Sequence, residues 1–238
     1  MKRLGFSLIE LMIVIAILVI LASLLQPSMD RVISNANRIQ CNTNLKHLLS
    51  GFSLYENDNL VYPYADTENR VFEGVRSTGW VSGGNNPSHI RSGAVWDYVQ
   101  LESSYLCPSD NSVNNHIRSY SVSGKTGRVP RVGGNPNNYW NQSIKSPSPS
   151  KTMIFVEEND PRWFNMGSYW VGWWTIWGDN IATWHDYGMN MGYMDGHADY
   201  TKWEDPLTIT RFVERGNFRS NPDMISLLDA YHGGTVKP

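Results

Sequence analysis

Between Phe6 and Leu25 the chain runs FSLIELMIVIAILVILASLL, twenty residues carrying a single formal charge at Glu10. As a helix rising ~1.5 Å per residue, this run spans about 30 Å, the hydrocarbon thickness of a bilayer. It is longer than the apolar region of an ordinary secretory signal, and no A-x-A-like cleavage site follows it. Lys2 and Arg3 precede it. The positive-inside rule then predicts a single span with a cytoplasmic N-terminus and the body across the membrane. A carboxylate in hydrocarbon costs on the order of 3 kcal/mol. The segment offers Glu10 no basic side chain, so three readings stand: a partner on another molecule, a terminal amine, or snorkelling to the cytoplasmic face.

Composition narrows the function classes. Lys and Arg number 20 against 22 Asp and Glu, a net charge of -2. A nucleic-acid binder working by bulk charge would show a basic excess. A hydrophobic fraction of 41% with 12% aromatics is too apolar for a disordered chain. The two cysteines, Cys41 and Cys107, form no CxxC pair, which excludes a thioredoxin-like or cysteine-based zinc motif. No GxGxxG, Walker loop, HExxH or GxSxG motif occurs.

The helical signal outlasts the apolar run. Pro27 removes one helical hydrogen bond and favours a kink. Beyond it, Cys41, Leu45, Leu48, Phe52 and Tyr55 fall four, three, four and three apart, one face of a helix. Asp30, Arg31, Arg38 and Lys46 are left for water, and Gly51 weakens the pattern. Asn57, Asp58 and Asn59 suit a stop, and Pro63 forbids continuation. One helix from about Phe6 to about Asn57 is expected, apolar all round at first and then amphipathic over 26–58.

From residue 59 to 238 the chain alternates short apolar segments with turns. Candidate strands are Gly93–Val99 (part of it helical), Ser119–Val122, Thr152–Glu157, Tyr169–Ile176, Gly188–Met194 and His197–Trp203. Gly83-Gly84-Asn85-Asn86-Pro87, Gly133-Gly134-Asn135-Pro136 and Ser146-Pro147-Ser148-Pro149-Ser150 mark loops. Asp195-Gly196 predicts a two-residue type I′ hairpin turn, with Met194 opposite His197 and Gly192 opposite Asp199. The fold class expected is α+β: a long N-terminal helix packed on a mainly antiparallel sheet with long loops.

The run MKRLGFSLIELMIVIAILVILASLL resembles the signal of type IV prepilins and type II secretion pseudopilins. The resemblance implies a pilin-like fold and a leader Met1–Gly5 removed by a prepilin peptidase that cuts between Gly5 and Phe6 and methylates Phe6. It also implies that Glu10, fifth in the mature chain, pairs with the amine of a neighbouring subunit during assembly. A second resemblance, to bacterial prepilin-like proteins with an H-x9-DG motif, rests on His185 followed by nine residues and Asp195-Gly196. Its further marks are Cys41-x-x-Asn44-Leu45-Lys46, Cys107-Pro108-Ser109, Ser119-Tyr120, and Pro149-Ser150-x-Thr152 leading to Glu157. The segment from Arg162 to Trp184 departs from that pattern.

His185, Asp195, His197 and Asp199 invite a metal reading, and His197 and Asp199 share a strand face. Some pseudopilins hold calcium in a late loop, a likeness of position only. The turn alone explains Asp195, and His185 can serve by hydrogen-bonding the hairpin, so the structural reading is preferred and no cofactor is expected. A hydrolase using His185 with Asp195 or Asp199 lacks a nucleophile at readable spacing; no enzyme is expected. Cys41 and Cys107 lie in an exported body, where a bridge closing about 65 residues could contribute ~4 kcal/mol. Two buried thiols are the equal alternative. Trp163, Trp170, Trp173, Trp174, Trp177 and Trp184 suit core packing plus a subunit interface, with glycan binding as the alternative.

Together these readings predict a structural filament subunit. Its partners are copies of itself or other pilins, the prepilin peptidase and methyltransferase, an inner-membrane assembly platform, and lipid before assembly. A minor pseudopilin, or an anchored surface- or glycan-binding protein without its own filament, is the alternative.

Overall fold

The computed structural model describes residues 7–65, 70–72, 75–77, 79–82, 86–111, 116–127, 146, 148–160, 167–171, 179–210 and 221–234. Helix α1 (Leu8–Asn59) runs through residue 27 without interruption. It ends where Leu60 adopts a left-handed φ of 62° and donates its N–H to the Glu56 carbonyl. The end lies two residues past the expected one, because the Asn57–Asn59 run prolongs the last turn before the left-handed residue stops it.

Strands β1 (Arg70–Phe72) and β2 (Val75–Ser77) form a small antiparallel pair. The main sheet contains β3 (Tyr120–Ser123), β4 (Met153–Glu157), β5 (Ser168–Tyr169), β6 (Gly188–Tyr193) and β7 (Ala198–Lys202), in the order β5-β3-β4-β6-β7. All neighbours are antiparallel except the β3–β5 pair. The expected α+β architecture, a long helix on a mainly antiparallel sheet, is the one observed.

The sheet is covered on both faces. Leu45, Leu48, Leu49 and Phe52 of α1 pack on Tyr120, Val122 and Phe155. On the other face Met153, Val156, Met189 and Met191 meet Met224, Leu227 and Leu228 of α5 (Pro222–Tyr231). Ile154 and Phe155 are consecutive, yet both enter the helix-side core. A register irregularity between Met153 and Phe155 supplies the extra residue that a strict two-residue alternation forbids.

Two sequence expectations need correction. The segment Gly93–Val99 is no strand. Its C-terminal part is a helical turn, α3 (Trp96–Val99), after the short helix α2 (Pro87–Arg91). Val95 and Val99, four apart, meet α1 at Gly51, where an added Cβ would lie 2.9 Å and 2.4 Å from their methyl groups. Tertiary fit overrides the β preference of these valines, and Gly51 provides the gap.

The hairpin register is displaced by one residue. Tyr193 donates its N–H to the His197 carbonyl at 2.9 Å, and Gly196 donates to the Tyr193 carbonyl at 3.0 Å. Gly196 has φ +91°, whereas Asp195 is not among the residues with positive φ. The loop is therefore three residues, Met194–Gly196, a turn closed by a glycine bulge. Gly192 faces Ala198, and Met191 faces Asp199. The two-residue turn with positive φ at both positions lies earlier, at Asp186 (50°) and Tyr187 (61°), closed by reciprocal His185–Gly188 hydrogen bonds.

The strand expected over Tyr169–Ile176 is seen as Ser168–Tyr169; residues 172–176 lie outside the described residues.

Candidate functional site

The N-terminal part of α1 is bare. An 18-residue window has mean hydropathy 3.0 and is 0% buried, and this is a helix long and apolar enough to cross a membrane. Exposed apolar side chains continue through Met29, Val32, Ile33 and Ile39. Ser23 donates its hydroxyl to the Ile20 carbonyl at 2.7 Å, so that polar group is satisfied within the helix. Glu10 has a partner that sequence reading missed: its carboxylate accepts the Ser7 backbone N–H at 2.8 Å. A carboxylate in the first turn also sits at the positive end of the helix dipole. A neutral N–H supplies a hydrogen bond but no opposite charge. Gly5 and Phe6, the expected processing pair, lie outside the described residues.

A second site lies where α1 meets the sheet. Cys41 and Cys107 are bonded, with Cα atoms 5.2 Å apart, which decides the alternative left open by the sequence. The disulfide is fully buried. His185 is 1% exposed, and its Nε2 lies 3.3 Å from Cys107 Sγ and 3.1 Å from Glu157 Oε1. Glu157, 0% exposed on β4, accepts three donors: His185 Nε2–H, the Asn190 backbone N–H at 2.8 Å, and Asn190 Nδ2–H at 3.0 Å. A buried carboxylate needs such a set to offset its lost hydration. Asn190 sits between Met189 and Met191, so the pleat that sends both methionines to the α5 side turns its amide toward α1.

The surrounding polar residues secure this joint. Asn44 on α1 donates to the carbonyls of Ser103 and Leu106, holding the loop that carries Cys107. Ser119 accepts the Cys107 N–H at 2.9 Å and donates to Asp110 at 2.7 Å. Tyr200 donates its hydroxyl to the His185 carbonyl at 2.7 Å, and Arg38 lies over the Tyr200 ring at 4.5 Å. Lys202, hydrogen-bonded to Asp186, holds that exposed carboxyl below its usual range.

Asp195 and His197 lie at the exposed hairpin tip, hydrogen-bonded to each other, with His197 stacked on Tyr193 at 4.3 Å. Asp199 is exposed on β7. His185 is buried in the core instead, so the structure separates it from the other three members of the expected metal set. Among the described residues, the grouping able to hold a metal is Cys41, Cys107, Glu157 and His185. Sequence reading marked Glu157 only through resemblance and missed Asn190. The available signal was a polar residue interrupting an apolar strand, the same signal that Glu10 gives in α1.

Of the tryptophans, Trp170 is 46% exposed and Trp184 packs against both cores. Trp163, Trp173, Trp174 and Trp177 lie outside the described residues.

A family model described as a prokaryotic N-terminal methylation motif matches residues 1–25. No curated protein and no solved structure matches the chain. The N-terminus therefore carries a prepilin-type signal, ahead of a helix that fits a single-pass membrane anchor.

Proposed function

We propose that this chain, whose methylation motif opens directly onto a bare apolar helix, is a structural subunit of a pilus-like or pseudopilus filament. The carrying observation is that window of α1 with none of its surface buried, attached to a body whose described residues form two buried apolar clusters. Such a surface is stable in lipid and, after extraction, against other helices of the same kind. The leader Met1–Gly5 is removed and Phe6 is methylated. The new amine of one subunit then pairs with Glu10 of the next, supplying the charge that the Ser7 N–H cannot. The precursor is bitopic, with its N-terminus cytoplasmic and its body outside, and an inner-membrane platform drives assembly.

Processing and assembly are separable. Gly5→Ala should leave full-length precursor, read as the intact N-terminus by mass spectrometry. Glu10→Ala should be cut and methylated normally yet yield at least tenfold fewer filaments by electron microscopy. Filaments at the parental level from the Glu10 variant would rule out the charge-pair mechanism.

The exposed Trp170 favours one alternative task for the body, recognition of a surface glycan by an anchored or minor subunit. Loss of glycan-array binding on Trp170→Ala would select it.

A further inference from the structure

We propose that the buried joint of Cys41, Cys107, Glu157 and His185 is a zinc site in the reduced chain, and that the Cys41–Cys107 bond and the ion are alternative cross-links of the same joint.

The four residues come from four separate segments: α1, the loop after the 3-10 turn Glu102–Tyr105, the end of β4, and the tight turn before β6. One donor atom from each lies within 4.8 Å of all the others. In a tetrahedral zinc site, bond lengths near 2.0–2.3 Å put neighbouring donor atoms about 3.3–3.8 Å apart. The His185–Glu157 and Cys107–His185 separations, 3.1 Å and 3.3 Å, are already close to that. Opening the sulfur–sulfur bond to about 3.7 Å makes room for the ion.

Two thiolates, an imidazole and one carboxylate suit zinc. Calcium, which takes six to eight oxygens, does not fit. All four residues are buried, so the site is closed and structural. Glu157 already has its outer layer: the two Asn190 N–H groups orient its carboxylate, as outer hydrogen bonds do in metal sites.

The exchange balances. Zinc binding displaces the two thiol protons, and the His185 proton moves from Nε2 to Nδ1, which frees the Nε2 lone pair for the ion. When a disulfide-bearing oxidant reacts with the zinc dithiolate, the Cys41–Cys107 bond forms and the ion leaves. The oxidant takes up two electrons from the thiolates and two protons from solvent, and departs as a dithiol. The site would exist whether or not the chain polymerises.

The test uses the full-length chain in detergent, reduced with a phosphine and titrated with cobalt(II), then zinc. The expected result is one equivalent of cobalt with a thiolate-to-cobalt charge-transfer band, displaced by zinc and absent from the oxidised chain. Cys41→Ser and Cys107→Ser should each weaken the band, and the double variant should abolish it. Asn190→Ala should weaken binding about 10–100-fold. If the reduced chain loses far-UV circular dichroism, zinc should restore it. No sulfur band in the reduced chain, no structural recovery with zinc, or a band persisting in the double serine variant would overturn the proposal.

Discussion

Leu18 and Leu48 belong to one unbroken helix, yet Leu18 is 58% exposed and Leu48 is 0% exposed. Around Leu18 every face is apolar and none is covered. Around Leu48 a single stripe is apolar, and the sheet covers it. The difference lies in what each pattern asks for. A one-sided stripe can be satisfied by the chain's own strands, whereas an all-round apolar surface demands a partner from outside, whether lipid or another helix. The same helix thus folds the molecule with one half and leaves the other uncovered.

Three measurements probe that contrast, and the joint at Cys41 carries the largest effect. Replacing both cysteines by alanine removes a bond spanning 66 residues, which should cost about 4 kcal/mol of body stability. Denaturant unfolding without added metal would read it, with the membrane insertion of Leu8–Leu25 unchanged. Next, Leu48→Ala should destabilise the body by about 3 kcal/mol, whereas Leu18→Ala should leave its unfolding midpoint unmoved and reduce filament yield. Equal destabilisation by the two variants would erase the distinction between the halves.

The smallest effect is acidic and belongs to the body alone. His232 accepts a hydrogen bond from Lys125 at 2.6 Å, and burial together with that lysine pushes its pKa from 6.5 down to about 4. The unfolded chain then binds the extra proton first, so stability falls as pH drops from about 6.5 through 4. His232→Gln should flatten that slope in thermal unfolding, without altering helix insertion. Burial also lowers Lys125 to about 8, so its contribution improves as pH rises through 8 toward 10.5.

Much of the fold was legible in the chain. The stripe of Cys41, Leu45, Leu48 and Phe52 was readable from spacing, because a helix repeats its face every 3.6 residues. Strands β3, β4, β6 and β7 lay within a residue or two of their expected ranges. The hairpin at Asp195-Gly196 was visible, but its register was not. One residue more in the loop moves every pairing by one, and local turn chemistry does not distinguish the two. A helical part of Gly93–Val99 was expected, but that it is Trp96–Val99, packed at Gly51 over forty residues away, is set by tertiary fit. His185 was picked out with the wrong companions, since Asp195 is near it in the chain while Glu157 and Cys107 are near it in space.

By itself, then, the sequence determined what depends on local periodicity and composition: the apolar helix that fits a membrane span, the buried stripe, the strands and the prepilin-type signal over residues 1–25. Tertiary structure alone decided what depends on distant residues meeting: the Cys41–Cys107 bond and the burial of Glu157 beneath His185 and Asn190. Periodicity reports which face of an element is apolar. Hydrogen bonds and sulfur bonds act over about 3 Å, and only the folded chain sets those distances.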